Sequence, residues 1–434
     1  MKVILVGNGA REHAIAERLA QDTELYVLMS KKNPAIAQLC KEYWICDIEN
    51  PDSVEKTINE SGKSFDLGFA SPDATLAAGI SDVLEECGML IASPSKQSAR
   101  IEWDKSYMRS LLDRHNIKGS PQHVLVENSE DALAVIKDYE SVALKPLGLT
   151  GGKGVKVSGD HFTRIEDAMV YARSLIEKDG SVLIEEKLIG EEFTFQAFSD
   201  GSNVALMPPV QDHKRAFEND LGPNTGGMGS YSTGMKLPFL EASDLKDAEH
   251  TLRNVVNAMK KDGVPFKGVL YGQFMATADG VKVIEFNARF GDPEAMNVLS
   301  LLRSSLSELF LSIAEGKIRK PTFSEECTVV KYLVPEGYPD KPLKDAEVSV
   351  DAAGIKKMGA KIYYASVYEK YGKVYTTGSR AFGILGNGGT LEEAEQLAEK
   401  ACGLVKGPVW HRKDIGTKAL VQKRIEHMRY LCRD

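Results

Sequence analysis

Residues 281–294 read VKVIEFNARFGDPE and carry the strongest structural signal in the chain. Their apolar start predicts a β-strand. Glu285 and Asn287 follow two positions apart, so both side chains point to the same side of an extended backbone, and Arg289 continues that spacing. A carboxylate, an amide oxygen and a guanidinium together suit a magnesium ion that is bound along with phosphates. An ordinary edge hairpin with a solvated polar end would give the same pattern, so both interpretations remain open.

A partner for this strand lies just upstream, at residues 268–276, which read GVLYGQFMA and are followed by the polar turn 277–280. Two apolar segments joined by a short polar turn are typical of a β-hairpin. Such a hairpin would end in oxygen ligands and an arginine. The sequence therefore predicts a metal–nucleotide site on the strand that holds Glu285.

Size and composition indicate a multidomain globular protein of the cytoplasm. A chain of 434 residues is too long for one hydrophobic core, so roughly two to four domains are expected. The net charge of −8 argues against general binding to nucleic acid or membrane surfaces, and no stretch approaches the roughly 20 apolar residues of a transmembrane helix. The six cysteines are scattered without a CxxC pair, which argues against zinc sites and disulfides and favours a reducing compartment.

The first hundred residues alternate between strand and helix patterns, which predicts a doubly wound parallel α/β domain. Ligands of such domains lie at the carboxyl ends of the strands, here at residues 7–11 and 71–73. Strands are predicted at 2–6, 25–29, 43–46, 66–70 and 89–92, and helices at 14–20, 53–60 and 74–87.

The turn Gly7-Asn8-Gly9 after the first strand is a weak dinucleotide signal. The third glycine of a GxGxxG motif would fall on Glu12, and Ser30-Lys31-Lys32 stand where an acid should bind a ribose. A short glycine turn at a helix N-terminus still suits a single phosphate, because free backbone N–H groups point outward there. A tight turn that needs small residues is the alternative.

The second region contains a Gly-rich loop between two predicted strands, at 142–145 and 155–157. Residues 148–154 are not a Walker A loop, because Gly154 occupies the Ser/Thr position and a strand follows. We expect a flap that closes over phosphates, with charge from Lys145 and Lys153; a hairpin tip with solvated lysines is the alternative. A helix is predicted at 99–115, and a strand at 182–186 could offer backbone groups to an adenine.

The last hundred residues predict a small α+β domain, with strands at 328–334, 361–367, 373–376 and 381–386 and a helix at 391–404. The fold class is therefore a multidomain combination of α/β and α+β units. The predicted domains are 1–103, 104–320 with a flap subdomain at about 118–190, and 328–424.

The order of these features resembles the ATP-grasp superfamily: Lys105, the strand lysine Lys145, the flap, an EExLxGEE segment at 185–192 and the EFN of 285–287. Five further blocks resemble the phosphoribosylamine–glycine ligase family, which is the glycinamide ribonucleotide synthetase family of purine biosynthesis. These blocks are GNGAREHA at 7–14, QDHKR at 211–215, GPNTGGMG at 222–229, EFNARFGDPE at 285–294 and RKDIG at 412–416. The resemblance covers essentially the whole chain.

The resemblance implies roles for individual residues. Catalytic roles fall to Arg289, Lys145 and Asp212. ATP would be bound by Lys105, Lys145, Gly152, Lys153, Gly154, Glu185, Glu186, Leu188 and Glu192, and Mg²⁺ or Mn²⁺ by Gln273, Glu285 and Asn287. Glycine and 5-phosphoribosylamine would be bound by Gly7, Asn8, Gly9, Arg11, Asp73, Asp212, Lys214, Asn224, Gly226, Gly227, Arg289, Gly291 and Asp292.

The implied reaction runs through glycyl phosphate, formed when the glycine carboxylate attacks the γ-phosphate of ATP, and a monomer is expected. Two positions depart from the family pattern: Leu147 stands where many relatives have aspartate, and Asp73 replaces a longer glutamate. Three alternatives remain: another ATP-grasp purine ligase with a different acceptor, a catalytically silent ATP-binding protein, and a dehydrogenase. The intact blocks disfavour the first two, and the broken GxGxxG motif disfavours the third.

Overall fold

The N-terminal part folds as a parallel α/β domain, as predicted. The computed structural model describes residues 1–148 and 154–432. The strands of this domain are β1 (Lys2–Val6), β2 (Glu24–Met29), β3 (Glu42–Ile45), β4 (Leu67–Ala70) and β5 (Leu90–Ile91). Its helices are α1 (Ala10–Leu19), α2 (Pro34–Leu39), α3 (Pro51–Ser61), α4 (Asp73–Ala78) and α5 (Ile80–Glu86).

The sheet order β3-β2-β1-β4-β5 reverses direction between β1 and β4. The carboxyl ends of these two strands therefore frame the crevice where ligands of open parallel sheets bind. Gly7 follows β1, and Asp73 begins α4 directly after β4. The single helix predicted at 74–87 was wrong, because Gly79 takes a left-handed conformation with φ of 95° and divides it into α4 and α5.

The middle part contains two antiparallel sheets: the flap sheet, ordered β6-β9-β7-β8, and the hairpin sheet, ordered β11-β10-β16-β17. Its helices are α6 (Lys96–Trp103), α7 (Lys105–Arg114), α8 (Ser129–Asp138), α9 (Ile165–Asp179), the 3₁₀ turn η1 (Glu218–Asp220), α10 (Ala242–Lys261), α11 (Glu294–Leu301) and α12 (Leu306–Ala314). Its strands are β6 (His123–Val126), β7 (Val142–Lys145), β8 (Lys156–Val157), β9 (Val182–Glu186), β10 (Glu191–Asp200), β11 (Val204–Leu206), β12 (Gln211–Asp212), β13 (Arg215–Phe217), β14 (Leu221–Asn224), β15 (Gly229–Ser232), β16 (Lys267–Thr277) and β17 (Gly280–Asn287).

The helix predicted at 99–115 is in fact two helices, because Asp104 ends α6 and caps α7. Its carboxylate accepts a hydrogen bond from the Tyr107 backbone N–H at 2.9 Å, which satisfies a donor that has no partner within the helix. Lys105 is consequently the first residue of α7 and lies at the junction with the flap sheet.

The predicted hairpin is present as β16 and β17, but its pairing is not regular. Gln273 pairs with Glu285 and Phe274 with Val283, so Ile284 is an extra residue in β17. A bulge of this kind bends the strand and changes the direction of the next side chains, here toward the flap sheet. The Arg109 guanidinium holds the bulge in place by donating to the Val283 and Ile284 carbonyl oxygens at 3.1 and 3.0 Å.

The C-terminal part is an α+β unit whose strands pair in antiparallel fashion. Its strands are β18 (Cys327–Pro335), β19 (Glu347–Val350), β20 (Lys361–Tyr364), β21 (Val367–Lys370), β22 (Lys373–Thr376), β23 (Phe382–Gly388), β24 (Val405–Lys406) and β25 (Val409–Trp410). Its helices are α13 (Ala352–Lys357), α14 (Leu391–Cys402) and α15 (Lys418–Leu431). The strand predicted at 361–367 ends at Tyr364, and Val367 begins a different sheet.

One sheet crosses the domain limits expected from the sequence. Strands β12 and β15 of the middle part join β18, β23 and β20 in the order β12-β15-β18-β23-β20. Asp212, at the end of β12, is therefore positioned by a C-terminal sheet. The boundaries 1–103, 104–320 and 328–424 stay predictions. Across the described ranges, no helix is both long and apolar enough to cross a membrane.

Candidate active site

A cavity of about 340 Å³ lies between the flap sheet and the hairpin sheet. The carboxyl-terminal half of β17, the start of β10 and the end of β9 form its walls. The predicted site residues that line it are Lys145, Glu185, Glu186, Leu188, Glu192, Asp212, Lys214, Asn224, Gln273 and Glu285. The cavity thus brings together predicted site residues that are up to 140 positions apart in the chain (Lys145 to Glu285).

The flap-side wall is organised around a buried ion pair. The Lys145 Nζ lies 2.6 Å from a Glu185 carboxylate oxygen, and the Arg109 guanidinium donates to both oxygens at 2.7 and 3.0 Å. Burial alone would raise the pKa of Glu185, but Arg109 and Lys145 overcome it and lower the pKa to about 2. The Glu185 side chain therefore fixes Lys145. Only the backbone of Glu185 is left to contact a ligand.

Glu285 lies among cations on the opposite wall. Burial would raise the pKa of this carboxylate, but Lys214, Lys105 and Lys145 lower it, so Glu285 is held ionised. The same charges act in reverse on Lys214: burial would lower its pKa, but Glu192 and Glu285 raise it. A carboxylate kept charged beside lysines can share a divalent cation and phosphate groups with them.

The three predicted metal ligands fit a hard cation. Gln273 and Glu285 are direct partners across the hairpin, and Asn287 follows on the same face of β17. Gln273 Nε2 donates to the Glu192 carboxylate at 2.6 Å, whereas its buried Oε1 accepts no hydrogen bond from the described residues. A buried acceptor without a donor fits a metal ligand. One carboxylate and two amides leave several coordination positions for phosphate oxygens.

Arg289 forms a second centre beyond the hairpin. Its guanidinium lies 3.0 Å from a Glu102 carboxylate oxygen, and Glu102 also accepts the Ala288 backbone N–H at 2.8 Å. Burial raises the pKa of Asp73, but Arg289 and Arg11 outweigh burial and lower the pKa. Arg289 is thus fixed by one carboxylate and faces a second at the carboxyl end of β4, in the crevice of the parallel sheet.

The N-terminal glycine turn is packed around Glu12. This carboxylate accepts the Gly9 backbone N–H and the Ser71 hydroxyl, each at 2.6 Å. A Cβ on Gly7 would meet the Glu12 side chain at 2.5 Å, and Gly7 has φ of 133°, so glycine is required there. Glu12 thus takes the place of the third glycine of a dinucleotide motif. It also occupies the Gly9 amide, which leaves the N–H groups of the first turn of α1 for a phosphate.

Asp212 lies beside residues 222–229, the loop predicted to line the side of the site that binds glycine and phosphoribosylamine, which we call the acceptor loop. A Cβ on Gly227 would come within 2.6 Å of an Asp212 oxygen, which explains the glycine, whose φ is 105°. Burial and the nearby Glu294 carboxylate raise the pKa of Asp212 well above its usual value. Glu294 itself accepts hydrogen bonds from Tyr271 at 2.9 Å and Thr194 at 3.0 Å. A carboxylate with a raised pKa is a better proton acceptor when ionised.

Arg380 connects the acceptor loop, residues 222–229, with the turn after β17 that contains Asp292. Its guanidinium donates to the Gly227 and Asp292 carbonyl oxygens at 2.9 and 3.1 Å and lies 4.3 Å from the centre of the Tyr332 ring. It comes from the C-terminal domain, far from either loop in sequence. Sequence reasoning missed Arg380, Arg109 and Glu102, because each acts through a partner distant in the chain and none belongs to a local motif. It also gave no role to Glu294, although this residue ends the block 285–294.

Several predicted site residues have other contacts or lie outside the description. The Asn8 carboxamide oxygen accepts the Ser30 hydroxyl at 2.9 Å and the Ser30 N–H at 3.2 Å, so it orders the loop after β2. Gly152 and Lys153 lie outside the described residues. The flap strands that flank them, β7 and β8, pair as predicted, and Lys105 donates to the Gly148 carbonyl oxygen at 3.0 Å.

A lysine-lined cavity between two antiparallel sheets, joined to a parallel α/β domain, places the chain in the ATP-grasp class. The model for the phosphoribosylglycinamide synthetase ATP-grasp (A) domain matches residues 103–295. The models for the N domain and the C domain of the same synthetase match residues 1–102 and 328–418. The chain belongs to the phosphoribosylglycinamide synthetase family.

Full-length relatives agree with this assignment. A phosphoribosylamine–glycine ligase of Methanosarcina barkeri is 48% identical over 99% of this chain and 100% of its own length. One from Pyrococcus abyssi is 48% identical over 100% of this chain and 99% of its own. The crystal structure of phosphoribosylamine–glycine ligase from Thermotoga maritima superposes with a TM-score of 0.81 at 26% identity, over 95% of this chain and 100% of that one.

Proposed function

We propose that this protein is the ATP-dependent ligase that joins glycine to 5-phosphoribosylamine in purine biosynthesis, giving glycinamide ribonucleotide, ADP and phosphate. The observation that carries the proposal is the convergence of the lysine-lined cavity around Glu285 with the arginine centre at Arg289, in a chain that is 48% identical over full length to ligases of this name. Its small-molecule substrates are glycine, 5-phosphoribosylamine and ATP, and the protein acts as a monomer.

ATP occupies the cavity. The backbone of Glu185, Glu186 and Leu188 meets the adenine, and the Glu192 carboxylate binds the ribose hydroxyls. Lys105 and Lys145, together with Lys153 and Gly154 of the flap, bind the phosphates. A divalent cation, Mg²⁺ or Mn²⁺, held by Gln273, Glu285 and Asn287, would neutralise phosphate charge. In phosphoryl transfer most catalysis is positioning and charge stabilisation, which this set of residues provides.

In the first step a glycine carboxylate oxygen attacks the γ-phosphorus, and the bond from this phosphorus to the ADP oxygen breaks. The products are glycyl phosphate and ADP. Arg289 is suited to orient the glycine carboxylate, because Glu102 fixes its guanidinium at 3.0 Å. Lys145, fixed by Glu185 at 2.6 Å, is suited to stabilise the charge that develops on the transferred phosphoryl group.

In the second step the amine of phosphoribosylamine attacks the acyl carbon, the bond from carbon to the phosphate oxygen breaks, and the amine loses a proton. Asp212 accepts this proton, as its raised pKa and its position beside Gly227 support. The sugar phosphate lies at the first turn of α1, near Arg11 and Asp73. Lys214, Asn224, Gly226, Gly291 and Asp292 line the rest of the acceptor side.

The test is a coupled assay of ADP release with ATP, glycine and phosphoribosylamine, repeated with each substrate left out. We expect ADP release to require all three substrates and glycinamide ribonucleotide to accumulate in equal amount. ADP release with another amino acid or another amine in preference to these substrates would indicate a different acceptor. ATP binding without turnover would indicate a catalytically silent protein.

A further inference from the structure

The C-terminal helix α15 packs against the hairpin sheet, which forms one wall of the proposed ATP cavity. All but its first residue lies beyond the three segments that match the family models, of which the last ends at residue 418. Leu420, Val421 and Met428 are buried, and the helix contacts β10 and β16 of the hairpin sheet. These buried apolar side chains fix α15 on the sheet. The polar side chains next to the buried face therefore have fixed positions as well.

Two side chains of this helix bind a single buried carboxylate. An Arg424 nitrogen lies 3.1 Å from one oxygen of Glu191, and His427 Nδ1 lies 2.6 Å from the other. Glu191 is 4% exposed. Arg424 also pairs with Asp220, in the turn before β14, and Arg412 pairs with the same Asp220 at 3.1 Å. Arg424 therefore bridges the start of β10 and the turn that leads into the acceptor loop.

Glu191 matters because it precedes Glu192, the residue assigned to the ribose. Glu191 and Glu192 are consecutive residues of β10 and both line the cavity, so the contacts that hold Glu191 also set the backbone position of Glu192. Arg424 itself lines the same cavity as Glu186 and Leu188. Among the residues that the structure describes, removing Arg424 would leave His427 as the one side-chain partner of the buried Glu191 carboxylate, which is costly and favours local rearrangement.

We propose that Arg424 is a positioning residue for the nucleotide: through Glu191 it fixes the start of β10 and hence the ribose-binding carboxylate of Glu192. The inference rests on the proposed function only in taking the cavity as the ATP site. The nucleotide site is then completed by a helix outside the family's matched domains. It follows that nucleotide affinity depends on α15. Glycine affinity should not depend on it in the same way, because Asp220 in the turn before the acceptor loop keeps its pair with Arg412 when Arg424 is removed.

The test compares Arg424→Ala and Arg424→Lys with Arg429→Ala, which changes an exposed arginine of the same helix. Calorimetry gives the affinity for ADP with Mg²⁺, and kinetics give separate KM values for ATP and glycine. We expect Arg424→Ala to weaken ADP binding and raise the KM for ATP about tenfold or more, the range for a lost charge-assisted contact. The KM for glycine should stay close to native, Arg424→Lys should recover part of the loss, and Arg429→Ala should behave as native.

Two results would overturn the inference: an ADP affinity of Arg424→Ala equal to that of Arg429→Ala, or parallel rises in the KM for ATP and for glycine, which would mean a general structural role. If thermal melting shows that Arg424→Ala does not fold, Arg424→Lys and His427→Gln provide the test instead. Both must then weaken ADP binding without raising the KM for glycine. ADP binding by the native protein is measured without glycine or phosphoribosylamine. Failure of the ligase assay is therefore distinct from failure of this inference.

Discussion

At the scale of single residues, Glu285 is the group on which the proposed chemistry depends most. It is the one carboxylate in the proposed metal set, and Lys214, Lys105 and Lys145 keep it ionised. Glu285→Gln keeps the shape and removes the charge that would offset a divalent cation. We expect turnover to fall about 100-fold or more, from the several kcal/mol that metal charge stabilisation contributes.

The measurement is kcat at saturating ATP and glycine, with thermal melting to verify folding. Glu249→Gln, which changes a half-buried carboxylate on α10 that pairs with Arg253 at 2.8 Å, is the matched control and should keep native turnover. Turnover near the native value in a folded Glu285→Gln protein would remove Glu285 from the site.

Lys153 is the residue that we expect to couple flap closure to ATP. Four of the seven residues 148–154 are glycine, which makes opening easy and closure entropically costly. A lysine that pairs with ATP phosphates would offset part of this cost, so closure should depend on nucleotide. Lys153→Met should therefore weaken ATP binding and let water reach glycyl phosphate, so that more ATP is hydrolysed per amide formed.

The ratio of ADP to glycinamide ribonucleotide measures this coupling, with Lys137→Met, an exposed lysine of α8, as control. Hydrogen exchange of residues 148–154 with and without ATP tests closure directly. Strong and equal protection in both states would mean a rigid hairpin and would end the lid interpretation.

Much of the cavity lining could be predicted residue by residue, because the residues proposed for metal, adenine and phosphate belong to short local patterns. Glu285 and Asn287 are an example: their spacing alone puts them on one strand face. Arg109 and Glu102 could not be predicted in this way. Each acts only through a partner more than seventy positions away, Glu185 in the first case and Arg289 in the second, and nothing in the local sequence indicates the pairing.

At the scale of elements, the turn between β1 and α1 is the proposed phosphate site of the sugar. Its tight packing on Glu12 makes it sensitive to any side chain at Gly9, where a Cβ would meet Glu12 Oε2 at 2.8 Å. Gly9→Val should displace the first turn of α1 and raise the KM for phosphoribosylamine, while the KM for ATP stays nearly unchanged. Steady-state kinetics with each substrate varied in turn give both values.

Gly389→Val provides the control, since a Cβ there would meet its nearest neighbour at an ordinary 3.4 Å. Equal changes in both KM values would argue against a phosphate site at this turn. Detectable binding of NAD by the native protein would restore the dinucleotide interpretation.

Element boundaries were the weaker part of the sequence prediction, for identifiable reasons. The helices predicted at 74–87 and 99–115 are each interrupted, at Gly79 by a left-handed residue and at Asp104 by a capping carboxylate. The hydrophobic periodicity continues through both breaks and so hides them. The bulge at Ile284 is likewise invisible in the alternating pattern, although it changes the direction of Glu285.

At the scale of the whole molecule, His13 connects the first and last domains. We expect it to make the free energy of unfolding depend on pH. His13 Nδ1 accepts the Tyr364 backbone N–H at 2.9 Å, which requires the unprotonated nitrogen. Burial lowers the pKa of His13 to about 4, with Glu17 acting to raise it and Lys361 to lower it. Because the unfolded chain binds the proton near pH 6.5, stability is complete above that pH and falls as the pH drops toward 4.

Between pH 7 and pH 5 this group should remove about 2 kcal/mol from the free energy of unfolding. Urea unfolding at the two pH values measures the loss, and His13→Gln should show a smaller one because glutamine does not titrate. His250→Gln, at an exposed histidine of α10, should keep the native pH dependence. An identical loss in His13→Gln and the native protein would assign the pH dependence to other groups.

The order of the domains and the family could be predicted from the sequence, and both are confirmed, since the diagnostic blocks are spread over the whole chain. The way the domains share the site could not. Strands β12 and β15 complete a C-terminal sheet, Arg380 ties that domain to Gly227 and Asp292, and Arg424 reaches back to Glu191. These contacts join segments that have no relation in the linear sequence, so only the folded chain shows them.

The central claim, ligation through an acyl phosphate, is tested most directly with glycine labelled with ¹⁸O in its carboxylate. If a carboxylate oxygen attacks the γ-phosphorus and the amine then displaces phosphate, one labelled oxygen must leave with each phosphate released. Mass spectrometry of the phosphate from a complete reaction should therefore show one ¹⁸O per phosphate and one in the amide product. Unlabelled phosphate formed together with glycinamide ribonucleotide would contradict this account.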